Sequence, residues 1–516
     1  FHLNFGWGGY FNGYFLMNSS SWFGTGNAGQ YYSNFAKILI LSPTALHVNE
    51  QDSLAVDAVI QATGAYEGTD VDFTKPVWTW PGVLVMNERV IRFSLGSSGP
   101  PKSATSIPAE IGNLTALQEL SLYGCFNGTV PSTITQLEDL KKLIIGNAAV
   151  YVAPNLYKGD LRWELPEDID NLSHLEWLSA YNILEGTIPA SIGNLSDLKL
   201  LFISQDTTDY GKGKLGGPLP AEIGQLGQLQ QFHISDQSLE GPLPPEINDL
   251  KELRELDLSG NMLNGPVPDL DFPSIGYINL NDNQFSEFAD GIGYCPNLKD
   301  LQIQSNTIAG SIPPYFCNFA LLESLNISDN LIESVPEEIS NLTLLNRFNA
   351  DHNLLQALPD GLALIIRLKE LSASNNQIGY VPGSLGQAGG LETLDLSYNL
   401  IQTIPPLLGK SPNLSEVYLN HNQIDSIPAS FAHLGDGVSV FLQDNEIQGL
   451  IPENLMTAAT GVHGHVRLDS NRFVFNDIPE SEELLFGVQY QKDVPLTKQV
   501  YLVQEGDEVS IDIRSI

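Results

Sequence analysis

One internal repeat dominates this sequence, and each copy ends in an asparagine that follows two alternating leucines. The motif L-x-L-x-x-N occupies residues 256–261 and 394–399, with variants between them and beyond. Its asparagines number ten and are 22 to 26 residues apart: Asn261, Asn283, Asn306, Asn330, Asn353, Asn376, Asn399, Asn422, Asn445 and Asn471. A period of this length predicts stacked supersecondary units, which bury their apolar faces only against their neighbours.

The pattern continues upstream with other residues at the asparagine position. These residues are Cys125, Ala148, Ile183, Asp206 and Gln237. Two of the intervals between them are longer, which predicts insertions near residues 150–163 and 207–216. We therefore expect 15 repeats, with an irregular sixteenth at residues 90–98.

The repeat unit predicts a short strand followed by a bend. In residues 253–258 the leucines Leu256 and Leu258 alternate, as in a strand with one buried face, and Asp257 points to the other face. A buried asparagine amide then satisfies backbone groups that the bend leaves unpaired. Stacking such units predicts an α/β fold with a curved parallel sheet of about 15–16 strands.

Residues 90–475 resemble the leucine-rich repeat family. Residues 186–195 (GTIPASIGNL) and 217–226 (GPLPAEIGQL) are similar to its plant-type subclass, and the glycine is lost from about residue 331. Residues 50–96 resemble the N-terminal cap of such arrays, with an amphipathic helix near 52–60 and a W-x-G-V-like element around Trp80. An open solenoid end requires a cap because it would otherwise expose the core.

The first 43 residues differ in kind, since residues 2–15 are rich in glycine and aromatic residues. They resemble the C-terminal part of streptopain-family cysteine peptidases, which implies a fragment of a papain-like α+β domain. The resemblance implies that Asn4 orients the catalytic histidine and that Trp7 belongs to the same active-site segment. Phe5 occupies a position where that family usually has Trp. The catalytic Cys and His of such an enzyme would lie upstream of Phe1, an end that we interpret as processed or truncated.

Four regions are therefore predicted. Residues 1–43 are the peptidase-like fragment, 44–96 a linker and cap, and 97–479 the leucine-rich repeats. Residues 480–516 contain alternating strand-like segments, which fit either a C-terminal β cap or the start of a further β domain.

The composition excludes several functions. With 24 Lys and Arg against 61 Asp and Glu, the net charge is −37, which disfavours nucleic acid as a partner. No apolar run is long enough to span a membrane. Three cysteines are too few for a disulfide framework, and the odd number leaves at least one thiol free or bound to another chain. We predict no cofactor and no metal, and interpret His463-Gly464-His465 as a loop without an ion.

Aromatic residues on the outward face of the predicted sheet are the candidate ligand-binding residues. Tyr398, Tyr418, His421 and Phe441 come from three consecutive repeats and are expected on one outward row. A lesser cluster near the insertions contains Tyr181 and Phe202, with Tyr123. Exposed aromatic residues on a polar sheet are typical of binding hot spots. The alternative is that these rings only shield one another or pack on a loop.

Two functions follow as hypotheses. The first is a secreted or cell-surface bacterial binding module that recognises a protein or glycan through the concave face of the sheet. The alternative is the targeting or substrate-binding part of a longer secreted cysteine peptidase. Whether the parent protein is an enzyme stays open, because this chain lacks the catalytic Cys and His.

Overall fold

The computed structural model describes residues 48–63, 75–96, 106–124, 126–147, 149–152, 155–205, 214–289, 293–434, 438–452, 455 and 466–473. The predicted peptidase-like segment 1–43, with Asn4, Phe5 and Trp7, lies outside these residues, as do 480–516 and the His463–His465 loop. The chain divides into two compact units, one ending at Leu161 and the other beginning at Arg162.

The first unit begins with an α-helix and continues as a small sheet. The helix is Glu50–Thr63, and the strands Val83–Met86 and Arg89–Gly96 pair antiparallel. Arg89–Gly96 then pairs in parallel with Glu119–Gly124, which pairs with Lys142–Asn147. The described part of the irregular repeat predicted at residues 90–98, residues 90–96, is therefore a strand of the sheet. The remaining elements are the 3-10 helices Val77–Thr79, Ala109–Asn113 and Ser132–Gln136, and the strands Asn127–Thr129, Ala149–Val152 and Asn155–Lys158.

A buried carboxylate ties the helix to the first strands. Asp52 is fully buried, and its side chain accepts hydrogen bonds from Arg89 Nε at 2.9 Å and from the Val90 backbone N–H at 2.7 Å. Ala55, Val56 and other apolar residues on the same helix are buried as well. The helix predicted near residues 52–60 is thus present, with its apolar face in the core.

Within the described residues, the main parallel sheet of the second unit has thirteen short strands. Neighbouring strands pair in register, so that Leu325 is opposite Phe348 and Leu371 is opposite Leu394. These strands are Trp177–Tyr181, Leu200–Ser204, Gln231–Ser235, Glu255–Asp257, Tyr277–Asn279, Asp300–Gln302, Ser324–Asn326, Arg347–Asn349, Glu370–Ser372, Thr393–Asp395, Glu416–Tyr418, Ser439–Phe441 and Val466–Arg467. The predicted parallel-sheet architecture is confirmed. Leu256, Leu258, Leu394, Leu396 and Leu419 face inward, each at most 1% exposed.

Short strands and 3-10 helices return the chain from one sheet strand to the next. The strands are Asp160–Glu164, which crosses the division between the units, and Leu184–Thr187, Leu215–Gly217, Ser238–Gly241, Met262–Val267, Gln284–Phe288, Ala309–Ser311 and Leu331–Ser334. The 3-10 helices are Ile169–Asn171, Ala190–Asn194, Ala221–Gln225, Pro245–Asp249, Pro314–Asn318, Glu337–Asn341, Asp360–Leu364, Gly383–Gln387, Leu408–Lys410 and Ala429–His433. Eight of these ten helices directly follow a proline, whose fixed φ prepares the entry to the turn.

The repeated asparagines form the predicted ladder. Asn330 Nδ2 donates to the carbonyl oxygens of Ile303, Ile327 and Ser328 at 3.0–3.2 Å, and its Oδ1 accepts from the Ile308 N–H at 3.0 Å. One side chain therefore connects backbone groups of two repeats. The same arrangement recurs at the asparagines from Asn261 to Asn471.

Upstream of Asn261, other residues occupy the ladder position, and only some of these residues lie in the described part of the chain. Gln237 joins the ladder, because its Oε1 accepts from the Leu215 N–H at 3.1 Å, and Ile183 is buried. Cys125, Ala148 and Asp206 lie outside the described residues. The first predicted insertion contains an antiparallel hairpin, in which 149–152 pairs with 155–158. The second overlaps residues 206–213, which are also outside the described part.

Candidate ligand-binding surface

Two rows of outward-facing positions cross the sheet of the second unit. The strand row is the residue between the two inward positions of each strand: Ser179, Phe202, His233, Asp257, Asn279, Gln302, Asn326, Asn349, Ser372, Asp395, Tyr418, Phe441 and Arg467. The turn row is the residue just before each ladder position: Asn182, Asp236, Gly260, Asp282, Ser305, Asp329, His352, Asn375, Tyr398, His421, Asp444 and Ser470.

The four C-terminal aromatic residues divide between these rows instead of sharing one. Tyr418 and Phe441 belong to the strand row, and Tyr398 and His421 belong to the turn row. The prediction of a single row is wrong, because Tyr398 stands three residues beyond its strand-row position, Asp395, where the chain has already begun to turn. The structure nevertheless brings the residues together as two stacked pairs.

The strand pair consists of Tyr418 and Phe441. Their ring centroids are 4.6 Å apart and their planes differ by 2°. Because the two strands pair in register about 4.8 Å apart, each ring covers one face of the other. The Tyr418 hydroxyl donates to Glu416 Oε2 at 3.1 Å. The pKa of Tyr418 is raised, mainly by burial and also by this hydrogen bond.

The turn pair consists of Tyr398 and His421, whose centroids are 4.1 Å apart with planes 16° apart. Both residues have left-handed backbone, with φ of 55° and 54°. All other turn-row residues with this conformation except His352 are Asn, Asp, Gly or Ser. A bulky residue such as tyrosine adopts it only at a free-energy cost of about 1–2 kcal/mol. Tyr398 is nonetheless 49% exposed, so burial does not explain its presence there.

Carboxylates surround the two pairs. Asp395 precedes Tyr418 on the strand row, Glu416 contacts the Tyr418 hydroxyl, and Asp444 Oδ2 is 3.4 Å from His421 Nε2. Among the described residues of both rows from Asp395 onward, Arg467 is the single cationic Lys or Arg residue. It forms an ion pair with Asp469 at 3.1 Å. The surface therefore carries negative charge that no neighbouring Lys or Arg on these rows neutralises.

The ionisation of Asp395 on this surface is also perturbed. Burial raises the pKa of its carboxyl, and the charge of Asp351 raises it further. Hydrogen bonds from the Ser397 N–H at 2.9 Å and Oγ at 2.6 Å oppose that shift. A partly buried carboxylate without a cationic partner is an electrostatic environment that a bound cation would relieve.

The lesser cluster contains one residue that sequence reasoning did not include. Tyr181 and Phe202 are 5.2 Å apart, and Phe202 also stacks on His233 at 5.4 Å with planes 24° apart. His233 occupies the strand-row position of the repeat after Phe202. That register was the signal available in the sequence. Tyr123, which is 45% exposed, lies in the first unit.

The described residues offer little for covalent or metal chemistry. Cys295 and Cys317 are free and buried, and burial raises the pKa of each thiol to about 12. Both therefore stay protonated and are poor nucleophiles. In the part of the chain that the structure describes, no group of three or more His, Cys, Asp or Glu side chains could hold a metal ion. No helix within that same part is long and apolar enough to cross a membrane.

Comparison with known proteins agrees with this architecture. A family model described as "Leucine Rich repeats (2 copies)" matches residues 390–432, and one described as "Leucine Rich Repeat" matches 252–271, 297–319 and 321–342. Together with the strand order, these matches define the chain as one that contains a leucine-rich repeat solenoid. Among curated proteins, TMV resistance protein N of Nicotiana glutinosa is 30% identical over 152 residues, covering 26% of this chain and 13% of that protein.

Several solved structures are similar. A crystal structure of PEPR1–AtPEP1 has a TM-score of 0.70 at 23% identity, covering 82% of this chain and 59% of that one, and at this identity it shows the fold alone. The plant peptide hormone receptor RGFR1 in complex with RGF2 has a TM-score of 0.55 at 27% identity, covering 72% and 64%. The LRR protein LIC12759 of Leptospira interrogans has a TM-score of 0.53 at 27% identity, covering 74% and 86%. The chain thus spans less than two thirds of the length of the PEPR1 and RGFR1 chains.

Proposed function

We propose that this chain is a secreted or cell-surface binding module that recognises a protein or peptide through the outward face of its C-terminal repeats. This face is the one expected to be concave. The observation that carries the proposal is the exposed stack of Tyr398 on His421, held in a backbone conformation that disfavours tyrosine. Other repeats place mostly Asn, Asp, Gly or Ser at this position, so an exposed tyrosine there has a conformational cost that burial does not offset, which is typical of functional positions.

The similar structures support this class of function. RGFR1, at 27% identity, is a plant peptide hormone receptor in complex with RGF2. By analogy, a peptide lying along the repeats of this chain would contact several strands at once, and the two aromatic pairs would form its central contacts. The bacterial origin expected from the N-terminal segment also belongs to the proposal, and the Leptospira interrogans relative is compatible with it.

The orientation of the strand pair favours a peptide over a glycan. Aromatic residues that bind sugars present a ring face, on which the sugar C–H groups pack. Tyr418 and Phe441 cover one face of each other, because their planes differ by 2° at 4.6 Å, which removes one face of each ring from contact with a sugar. Ring edges carry partial positive charge and suit carbonyl oxygens and other aromatic rings, both of which a peptide supplies.

A peptide selection tests the proposal. The full chain would be immobilised and used to select binders from a random-peptide phage library, and affinities measured by biolayer interferometry. We expect the double substitution Tyr418→Ala with Phe441→Ala to weaken the selected peptides at least about tenfold. Tyr380→Ala, which removes an aromatic that is 55% exposed but belongs to neither row, serves as the control. Unchanged affinity in the double variant, with circular dichroism showing a native fold, would exclude this surface.

A second proposal retains the peptidase resemblance of residues 2–15. In it, the repeats direct a cysteine peptidase whose catalytic Cys and His are encoded upstream of Phe1. Since Asn4 has no nucleophile to assist within this chain, we expect the purified chain not to hydrolyse casein under reducing conditions. Thiol-dependent hydrolysis by the chain as given would contradict the assignment of the missing residues.

A further inference from the structure

We propose that the ligand of this surface is a basic extended peptide, in which an Arg or Lys side chain sits beside Asp395 and an apolar side chain packs on the Tyr418–Phe441 pair. This inference rests on the proposed function and specifies the chemistry of the partner. It is carried by charge and by the spacing of positions on the strand row.

Charge complementarity selects a cationic partner. Asp395 and Glu416 neighbour Tyr418, Asp444 is 3.4 Å from His421, and Arg467 is already bound to Asp469. The whole chain carries a net charge of −37. This charge opposes docking of a second copy of the chain and attracts a basic segment over a distance of about a Debye length, near 8 Å at physiological ionic strength.

The neighbours of Asp395 leave room for a long basic side chain. On one side the strand row has the short Ser372, whose Oγ donates to Asp351 at 2.6 Å. Asp351 follows the strand Arg347–Asn349, which is two strands from that of Asp395 at about 4.8 Å per strand, and its charge raises the pKa of Asp395. A guanidinium or ammonium group placed above Ser372 would interact with both carboxylates.

The aromatic pair lies on the other side of Asp395, at a distance that suits an extended peptide. Tyr418 and Phe441 are one and two strands further along the row, at about 4.8 Å per strand. In an extended peptide, alternate side chains lie on the same face about 6.6 Å apart. A basic residue at Asp395 therefore places the side chain two residues later over the aromatic pair. The expected recognition pattern is basic-x-apolar.

The repeats themselves provide a conservative substitution for the test. Asp395 Oδ1 accepts the Ser397 N–H, and Asn326 and Asn349 accept the corresponding N–H at the same position of other repeats. Asp395→Asn therefore removes the charge and keeps this local bond. Asp257→Asn is the matched control, because Asp257 Oδ1 accepts from Ser259 N and Oγ just as Asp395 accepts from Ser397.

The experiment uses three synthetic peptides of equal length, titrated into the full chain and followed by fluorescence anisotropy. One contains repeated Arg-x-Leu, the second has citrulline in place of each Arg, and the third has Glu. We expect the Arg peptide to bind most tightly, the citrulline peptide to bind about tenfold more weakly, and the Glu peptide not to bind. Asp395→Asn should weaken the Arg peptide about fivefold or more, while Asp257→Asn leaves its affinity unchanged.

Two results of this titration would overturn the inference. Equal affinity for the Arg and citrulline peptides would show that the site does not read charge. Equal weakening by Asp395→Asn and Asp257→Asn would show general attraction to an acidic chain. If library peptides depend on Tyr418 and Phe441 but lack basic residues, this inference fails and the proposed function stands. If no peptide depends on that pair, both fail.

Discussion

Tyr398 and His421 stack with ring centroids 4.1 Å apart, and both do so from left-handed backbone at the residue just before a ladder asparagine. This conformation precedes every ladder asparagine from Asn261 to Asn471, and the following Asn399 and Asn422 turn their amides into the core. Most repeats use Asn, Asp, Gly or Ser there. The stacked pair thus places two large rings on the surface at positions that the fold otherwise reserves for residues tolerant of positive φ.

The two stacked residues of the strand pair should be energetically coupled. In a double-mutant cycle of Tyr418→Ala and Phe441→Ala, we expect a coupling free energy of unfolding of about 0.5–1.5 kcal/mol, which is typical of aromatic pairs. Urea denaturation of the four proteins measures it. The pair Tyr418→Ala and Phe202→Ala, whose rings belong to distant repeats, should be additive. Additive effects at 418 and 441 would contradict the stack.

Removing one ladder asparagine should destabilise the array. Asn330→Ala deletes three donated hydrogen bonds and one accepted bond between buried groups, and we expect a loss of about 1–3 kcal/mol in the free energy of unfolding. Asn326→Ala is the control, because its half-buried side chain accepts one local bond from Ser328 N, and its effect should be clearly smaller. Equal effects on the urea midpoint would count against the ladder's role.

Asp395 should make stability depend on pH. Its folded-state pKa is raised, so the folded state binds this proton more readily than the unfolded state does. Ionisation of Asp395 therefore destabilises the fold. The free energy of unfolding decreases as pH rises from the pKa of the unfolded state through the raised pKa of the folded state. Asp395→Asn should be more stable than the parent protein at pH 7, with a difference that shrinks on acidification through the raised pKa. Thermal unfolding across this range measures the effect. A variant that is less stable at pH 7 would contradict it.

The two buried cysteines should be unreactive in the folded protein. Burial raises the pKa of Cys295 and Cys317 to about 12, so the thiolate is scarce and the sulfur is inaccessible. Iodoacetamide at pH 8 should label neither residue in the native protein and both in urea, as read by peptide mass spectrometry. Rapid labelling of either residue in the native protein would show that its surroundings open.

The repeat architecture was largely predictable from the sequence, because each repeat determines its own local structure. Each unit has the same sequence pattern. In one of them, the alternating Leu256 and Leu258 form a strand with one buried side, and Asn261 occupies the bend. Because the period is regular, strand number, parallel pairing and the ladder all follow from one unit. The prediction of the ladder position is weaker where the pattern is degenerate. In one upstream repeat the sequence placed Ala148 at this position, whereas the preceding residue, Asn147, is buried.

The candidate site depended on distances that no local pattern contains. The sequence identified Tyr398, Tyr418, His421 and Phe441 as outward residues because each falls at a polar phase of the repeat. Only the stacked register of strands decided that Tyr418 pairs with Phe441 and Tyr398 with His421, on two separate rows. It also decided that Asp351 lies near enough to Asp395 to raise the pKa of its carboxyl. Inward or outward orientation is set within one repeat, whereas partners and electrostatic coupling arise between repeats about 23 residues apart, where only the folded chain brings them into contact.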